Sequence, residues 1–192
     1  MLTARNLSKR FGTKRVFERV DVSLAAGDFL LVTGPNGSGK TTLLRVLAGL
    51  AAPTSGELEL PPRERIGYLG HEPLVYRELT PLENLQLFAR LYRVPEGSER
   101  VGMLLERFGL WDVRHERVGT FSRGMQQRLG LCRVLLHEPE MLLLDEPFNA
   151  LDVAGAALLD ATLADLAGRA LAVATHDPGR VERLATGRLV FT

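Results

Sequence analysis

Apolar positions recur along this chain in two distinct patterns. Short apolar runs predict strands, whereas spacings of three and four residues predict amphipathic helices. The predicted strands cover residues 2–7, 16–24, 28–33, 57–60, 65–69, 141–144, 171–174 and 188–191. The predicted helices cover residues 40–50, 80–92, 98–108, a stretch after 122, residues 153–166 and a short piece after 178. Strands that alternate with helices in the second half predict an α/β fold with a mainly parallel sheet.

The length of the chain favours a single domain. A chain of 192 residues is most simply one folded unit, and no internal repeat or low-complexity linker divides it. Thr80-Pro81-Leu82-Glu83 has a capping threonine, a proline at the first helical position and a glutamate three residues after the cap, which predicts a helix start. Residues from about 73 to 120 are mostly helical in pattern and would form a small lobe within the domain 1–192.

Composition and charge exclude several classes of protein. A formal net charge of +1 gives no reason to expect a nucleic-acid partner. No apolar run approaches the length of about 18 residues that spans a membrane. Arg5, Lys9 and Arg10 interrupt any secretory signal near the start. The single cysteine, Cys132, lies in an apolar pattern, which predicts a buried thiol and is typical of a cytosolic protein.

The segment from Leu31 to Leu50 passes from an apolar run through a glycine-rich loop into a helical pattern. Its loop fits the phosphate-binding pattern Gly-x-x-x-x-Gly-Lys-Ser/Thr. Glycines let the backbone turn tightly and point N–H groups at an anion, and the helix that follows adds the positive end of its dipole. Lys40 would reach the β- and γ-phosphates, and the Thr41 hydroxyl would bind Mg²⁺. The predicted phosphate-binding residues are Gly34, Pro35, Asn36, Gly37, Ser38, Gly39, Lys40, Thr41 and Thr42.

Two adjacent carboxylates follow the apolar run 141–144. A strand that is apolar on both faces predicts a central, buried position, and ligands of open α/β sheets bind at the carboxyl ends of such strands. Asp145 is the candidate Mg²⁺ ligand, and Glu146 is placed to accept a proton from an attacking water.

A second candidate anion site begins at Ser122. Ser122 and Gly124 open an apolar-periodic helix, and free N–H groups beside a small hydroxyl bind anions. Taken alone, this segment is typical of an ordinary helix cap. Its position before Asp145 makes a functional role the stronger interpretation.

Together these motifs resemble the ATP-binding subunit of an ABC transporter. The resemblance covers nearly the whole chain and rests on motifs in the family's order. They are Phe11, Gly34–Thr41, His71, Ser122–Gln126, Met141–Glu146, Asn149–Asp152 and His176. It implies a parallel sheet flanked by helices, a small N-terminal antiparallel β part and a helical lobe.

The resemblance also implies roles for individual residues. Phe11 would stack on adenine, with a core aromatic as the alternative, and His176 would contact the γ-phosphate. Ser122 and Gly124 would bind the γ-phosphate held by a second ATP-binding subunit. The loop 149–152 would cross to that partner. Arg123 and Met125 depart from the family's commonest residues.

His71 is the clearest departure, because the family usually has Gln there. The stretch 68–73 and the helix after it resemble the haem exporter subunit of cytochrome c maturation. Drug, lipid and polysaccharide exporters have related sequences and remain alternatives. A soluble ABC ATPase would need coiled-coil arms or a second nucleotide domain. A GTPase or a kinase would share the segment Gly34–Thr41, but a GTPase would also need an Asn-Lys-x-Asp motif, which the sequence lacks. A non-catalytic nucleotide sensor would lack the Glu146 carboxylate, which is present.

The resemblance finally implies an assembly. Two ATP-binding subunits, identical or alike, would clamp two ATP molecules with Mg²⁺ and attach to integral membrane permease subunits. The chain would then be cytoplasmic and peripheral on the inner face of the cell membrane. Leu74, Val75 and Tyr76 would line a groove for a permease helix or, with equal weight, belong to the core.

Overall fold

The computed structural model describes residues 1–191, which form eight strands, five α-helices and short 3-10 turns. The strands are β1 (Leu2–Phe11), β2 (Lys14–Leu24), β3 (Phe29–Thr33), β4 (Ser55–Glu59), β5 (Ile66–Leu69), β6 (Met141–Asp145), β7 (Ala170–Thr175) and β8 (Gly187–Val190). The helices are α1 (Lys40–Leu47), α2 (Pro81–Leu91), α3 (Gly97–Arg107), α4 (Arg123–Leu135) and α5 (Val153–Asp165). The 3-10 turns cover Arg63–Arg65, Val118–Thr120, Pro178–Arg180 and Glu182–Leu184.

The strands form two sheets. Five strands pair in parallel in the order β5-β6-β7-β3-β8, and three pair antiparallel in the order β2-β1-β4. Every residue of β6 and β7 is buried, as expected for central strands covered on both faces. The α/β prediction with a parallel sheet and a small antiparallel part is therefore confirmed.

The chain divides into two compact units. The sheet unit contains residues 1–71, 140–147 and 163 onwards, and the helical unit contains residues 72–139 and 148–162. The lobe predicted at about 73–120 falls within the helical unit, which also includes α4 and most of α5. A single domain over 1–192 stays a prediction.

The core of the sheet unit joins α1 to the central strands. Leu43 and Leu47 of α1 are fully buried in one cluster with Val32, Leu143 and Ala172. Each fully buried leucine contributes about 1.5–3 kcal/mol by leaving water. This packing fixes the loop that enters α1 against the ends of the strands.

Helix ends explain most differences from the predicted bounds. Helix α1 ends at Leu47 rather than 50, because Gly49 adopts the left-handed conformation (φ 68°) that terminates helices.

The predicted capping box at the start of α2 is confirmed. Thr80 Oγ1 accepts from the Glu83 backbone N–H at 3.2 Å, and the Glu83 carboxylate accepts from the Thr80 N–H at 2.8 Å. Strand β1 runs to Phe11, four residues beyond the predicted 2–7.

The helical unit has its own apolar core. Leu85, Val101 and Leu105 are fully buried, and so is Cys132, as predicted. Burial raises the pKa of the Cys132 thiol well above its ordinary value, which disfavours the thiolate, the reactive form of the side chain. Among the helices of residues 1–191, none is long and apolar enough to cross a membrane.

Candidate functional site

The glycine-rich loop between β3 and α1 depends on three glycines with positive φ. Gly34, Gly37 and Gly39 have φ of 148°, 80° and 112°. A Cβ on Gly34 would lie 2.6 Å from the Phe191 carbonyl oxygen and 2.9 Å from the Ser38 Oγ. A side chain at that position would therefore force the loop open.

The loop has the chemistry of an anion cradle. Gly39 precedes α1 without a side-chain cap, so the first N–H groups of the helix are left for a ligand. The Ser38 hydroxyl is buried and has no hydrogen-bond partner within residues 1–191. Oxygens of a phosphate group would satisfy both sets of donors.

Lys40 folds back over the loop. Its Nζ donates to the carbonyl oxygens of Gly34 at 2.7 Å and Pro35 at 3.1 Å, and the residue is only 6% exposed. The ammonium group is thus already desolvated beside the loop, and two neutral carbonyls compensate its charge. Phosphate oxygens are stronger partners for an ammonium group than carbonyls.

Asp145 is a buried carboxylate at the end of β6. Both of its oxygens are buried without a hydrogen-bond partner among the described residues. Burial raises the pKa of Asp145, and the negative charge of Glu146 raises it further; the Thr41 hydroxyl, His71 and Lys40 oppose the shift. An unpaired buried carboxylate is costly, and a cation is the partner it lacks.

This arrangement fits Mg²⁺. Asp145 and the Thr41 hydroxyl supply the oxygen ligands that this ion prefers. No group of three or more His, Cys, Asp or Glu side chains in residues 1–191 forms a metal site of its own. A cation at Asp145 would therefore need ligand oxygens from a bound nucleotide or water, which is usual for Mg²⁺.

Glu146 is held back against the end of β7. Its backbone is left-handed (φ 49°), and its N–H donates to the Ala174 carbonyl oxygen at 2.8 Å. Carboxylate Oε1 accepts from the His176 N–H at 3.0 Å and lies 2.9 Å from His176 Nδ1. Carboxylate Oε2 accepts from the Thr175 hydroxyl at 3.1 Å. With a proton on Nδ1, the His176 ring can donate to this carboxylate.

Thr175 is the site residue that the sequence patterns missed. It is 3% exposed and pairs with Thr33, the residue before the glycine-rich loop, in the β3–β7 register. A threonine that ends a fully apolar strand, directly before His176, was the available signal. No motif attached a role to it.

Phe11 and His71 are both at the surface. Phe11 is 59% exposed, so it is not a core aromatic, and the Lys9 ammonium lies 4.9 Å from the centre of its ring. His71 is exposed as well, yet it is near enough to Asp145 to lower that carboxyl's pKa. Tyr68, three residues earlier in the sequence, lies close to Asp145 and to Arg45 of α1. Burial raises the pKa of the Tyr68 hydroxyl.

The second anion candidate lies in the helical unit. Ser122 Oγ accepts from the Met125 N–H at 3.2 Å and so caps α4. A Cβ on Gly124 would lie 2.7 Å from the carbonyl oxygen of Ala150, itself in a left-handed conformation (φ 64°). Asp152 caps α5 by accepting from the Gly155 N–H at 2.8 Å. These contacts give the segment 122–124 and the loop 149–152 local structural reasons for their residue types.

The predicted site residues therefore divide between the two units. The sheet unit brings the glycine-rich loop, Asp145, Glu146 and His176 to the carboxyl ends of β3, β6 and β7. Ser122 and Gly124 belong to the helical unit. Their predicted contact with a nucleotide on another subunit stays a prediction.

The segment 74–76 is surface rather than core. Leu74 and Tyr76 are 58% and 50% exposed, and Val75 is half-buried. Aromatic rings continue from Tyr76 to Phe88 and Tyr92, with 6.1 Å between successive ring centres. We call the side chains of Leu74, Tyr76, Phe88 and Tyr92 the apolar patch.

Known proteins are similar to this chain in sequence and in fold. Residues 17–149 match the family model described as ABC transporter. The ATP-binding subunit of an ABC transporter superposes with a TM-score of 0.91 at 27% identity, covering 100% of this chain and 85% of that one. The dimeric bacterial ABC transporter cassette MJ0796 superposes with a TM-score of 0.90 at 26% identity, covering 100% and 94%.

The chain therefore belongs to the ABC transporter family. Within it, the chain is an ATP-binding subunit of the ATPase class. The cytochrome c biogenesis ATP-binding export protein CcmA of Pseudomonas syringae is 42% identical over 84% of this chain and 81% of its own length. CcmA of Rhizobium meliloti is 40% identical over 92% and 91%. The uncharacterized ABC transporter ATP-binding protein YdbJ of Bacillus subtilis is 36% identical over 96% of this chain, which spans only 64% of the YdbJ length.

Proposed function

We propose that the chain binds ATP with Mg²⁺, hydrolyses it and so powers an ABC transporter. The observation that carries this proposal is the pair Asp145 and Glu146 at the end of β6. One carboxylate is buried without a partner and the other is held by three donors. Two acids with a purely structural role would not need such different surroundings. A cation ligand needs free oxygens, whereas a general base needs a fixed orientation, and the two carboxylates differ in this way.

Binding would begin at the glycine-rich loop. The N–H groups of the loop and of α1 would receive the β- and γ-phosphates. Lys40 Nζ would exchange the carbonyl oxygens of Gly34 and Pro35 for phosphate oxygens. Because the ammonium group is already desolvated, this exchange needs little further dehydration.

Mg²⁺ would be held by Asp145 and Thr41. When bound, the ion neutralises charge on the phosphate oxygens. It would also remove the unfavourable burial of the unpaired Asp145 charge.

Glu146 would orient a water molecule and accept its proton on the carboxylate. A general base contributes about 10²–10⁴ in rate. His176 would leave Oε1 of Glu146 and contact the γ-phosphate. Phe11 offers an exposed ring for adenine, and His71 would accept or donate one hydrogen bond near the metal.

A second subunit would complete each site. Ser122 and Gly124 would face the γ-phosphate held by a partner's loop. Support comes from the cassette MJ0796, which has the same fold and is dimeric. The hydroxyl of Ser122 accepts from Met125 but still has its own proton to donate.

The transported cargo is proposed to be haem, for cytochrome c biogenesis. Support comes from the CcmA relatives, of which this chain covers 81% to 91% of the length. The alternative is another ABC exporter, since the lantibiotic transport protein SrtF of Streptococcus pyogenes is 32% identical over 96% of this chain. In either case a permease would hold the chain at the inner face of the cell membrane through the apolar patch.

The cargo is tested by deleting the gene and measuring covalent haem in c-type cytochromes after denaturing electrophoresis. We expect the haem signal to disappear, to return with the wild-type chain and to stay absent with Glu146→Gln. An unchanged haem signal would reject haem export. Identifying the integral membrane protein that copurifies with the tagged chain would then point to another exporter.

A further inference from the structure

Thr175 occupies a rigid position beside the proposed general base. It is the last residue of β7, which is buried along its whole length and lies between β6 and β3. In the neighbouring strand, Asp145 pairs with Ala174, so the next residues of the two chain segments, Glu146 and Thr175, lie side by side just past the last pair of the β6–β7 register. A hydroxyl on this strand end has little freedom to move.

The hydroxyl of Thr175 has one proton and two acceptors within reach. Oγ1 lies 3.1 Å from Glu146 Oε2 and 3.3 Å from the Asp177 carbonyl oxygen. It also accepts from the Asp177 N–H at 3.1 Å. The carboxylate is both the nearer and the charged acceptor, so the proton favours Glu146.

The other donors to Glu146 come from a residue with a second task. Oε1 is held by the N–H and the ring of His176. If the ring turns towards a phosphate, Oε1 keeps only a backbone N–H. Thr175 is then the side chain that still fixes the carboxylate, because it holds the opposite oxygen.

We propose that Thr175 is a positioning residue for ATP hydrolysis: its hydroxyl holds Glu146 Oε2 so that the carboxylate faces the attacking water. This inference rests on the proposed role of Glu146 as general base. Thr175 itself touches neither nucleotide nor water in this account. Its effect should appear in the chemical step and not in ATP binding.

The test compares Thr175→Val with Thr175→Ser. Valine keeps the shape and removes the hydroxyl, whereas serine keeps the hydroxyl. We expect Thr175→Val to lower kcat about 10-fold, the size expected for one lost hydrogen bond to a charged group, with KM for ATP unchanged. Thr175→Ser should recover most of the wild-type kcat.

A matched control is available in the helical unit. Thr162 is 2% exposed, and its hydroxyl donates to the Leu158 carbonyl oxygen at 2.8 Å. Thr162→Val removes a buried hydroxyl in the same way and should leave kcat within about twofold of wild type. Thermal unfolding of each variant separates lost stability from lost rate.

A double-mutant cycle with Glu146→Gln separates this inference from the proposed function. If Thr175 acts through Glu146, Thr175→Val should not slow the Glu146→Gln enzyme further. An equal 10-fold loss in that background, no loss in wild type, or no recovery with serine would overturn the positioning role. Full activity of Glu146→Gln alone would instead overturn the proposed function.

Discussion

In the sheet unit, buried ionisable side chains lie at the carboxyl ends of strands, whereas in the helical unit buried polar side chains mainly hold backbone segments in place. Asp145 and Glu146 are buried at the end of β6 and differ in their partners. Asn84 is also buried, but its side-chain amide makes two hydrogen bonds to the backbone of Tyr76. Its Oδ1 accepts from the Tyr76 N–H at 2.8 Å, and its Nδ2 donates to the Tyr76 carbonyl oxygen at 2.9 Å. We propose a chemical role for the two carboxylates, whereas the contacts of Asn84 fix the backbone at Tyr76.

The two units also differ in their exposed apolar side chains. The helical unit exposes seven large apolar side chains and the sheet unit exposes four among the described residues. Those of the helical unit are Leu74, Tyr76, Leu91, Tyr92, Met103, Trp111 and Val153, and those of the sheet unit are Met1, Phe11, Leu50 and Val190. Of these, Tyr76 and Tyr92 are joined through Phe88 in the apolar patch, and an exposed apolar patch is typical of partner binding. We propose that the sheet unit carries catalysis and that the helical unit binds partners, and substitutions in each unit test this proposal.

The largest effect is expected from Glu146→Gln. Glutamine keeps the size of the side chain but cannot accept the proton of water. ATP hydrolysis should fall by about 100-fold or more while ATP binding persists. Steady-state turnover and nucleotide affinity are measured on the same preparation, with Thr162→Val as the control. Unchanged turnover would remove catalysis from this carboxylate.

Asp145→Asn should act on both activity and stability. Loss of the metal ligand should lower Mg²⁺-dependent hydrolysis at least about 10-fold. The nucleotide-free protein should become more stable by a few degrees in Tm, because the substitution removes an unpaired buried charge.

The size of the stabilisation expected from Asp145→Asn depends on pH. The pKa of Asp145 is raised in the folded chain, so the fold disfavours the charged form. The penalty is absent below the ordinary carboxyl pKa, grows as pH rises from that value towards the raised pKa of the folded chain, and is full above it. The Tm gain of Asp145→Asn should therefore be present at pH 7 and vanish near pH 3. A gain of equal size at both values would assign the stabilisation to another cause.

Substitutions in the apolar patch should affect attachment only. Leu74→Asp or Tyr76→Asp places a charge where a permease would cover apolar surface, and membrane-bound protein should fall about 10-fold. The ATPase rate of the isolated chain should stay within about twofold. Leu50→Asp is the control, since Leu50 is 57% exposed and belongs to the sheet unit. Equal loss with Leu50→Asp would mean that the patch has no special role.

The smallest effect is expected at His71. Imidazole is the side chain that changes charge between about pH 5 and 8. His71→Gln should stay active within about threefold and lose part of the pH dependence of hydrolysis, whereas His71→Ala should slow hydrolysis more than it weakens binding. His176 is retained in every variant. Superimposable rate–pH curves for wild type and His71→Gln would remove His71 from the chemistry.

Much of the fold and of the sheet-unit chemistry could be predicted from local patterns. The glycine-rich loop and the run 141–144 are short segments whose composition fixes their conformation. The capping box at Thr80 is likewise complete within four residues. Such features need no knowledge of the rest of the chain.

The remaining features depend on contacts distant in sequence. Thr175 meets Glu146 only because β7 pairs with β6, and nothing near Thr175 in sequence encodes that contact. Tyr92 continues the helical apolar spacing yet is 40% exposed, because it lies just beyond the end of α2. Its ring packs on His137, with 4.4 Å between the ring centres, and the spacing does not predict that contact. The fold-back of Lys40 onto the loop carbonyls also has no sequence signature.

If the two units have these separate roles, a single subunit would not complete its own nucleotide site. The sheet unit would hold one ATP, and Ser122 and Gly124 of the helical unit would serve the ATP of a second subunit. Hydrolysis per subunit should then rise with protein concentration until dimers saturate. Lys40→Ala and Ser122→Arg chains should each be inactive alone, the first without phosphate binding and the second without a competent partner surface.

Mixing these two inactive chains is the most direct measurement of the shared site. Random pairing makes about half of the dimers mixed, and each mixed dimer has one intact site, so about one quarter of wild-type activity should return. Thermal unfolding of Ser122→Arg controls for the lost cap of α4, which is worth about 1 kcal/mol. Recovery near one quarter would support nucleotide sites that combine the sheet unit of one subunit with the helical unit of the other. No recovery on mixing, together with a rate independent of protein concentration, would contradict it.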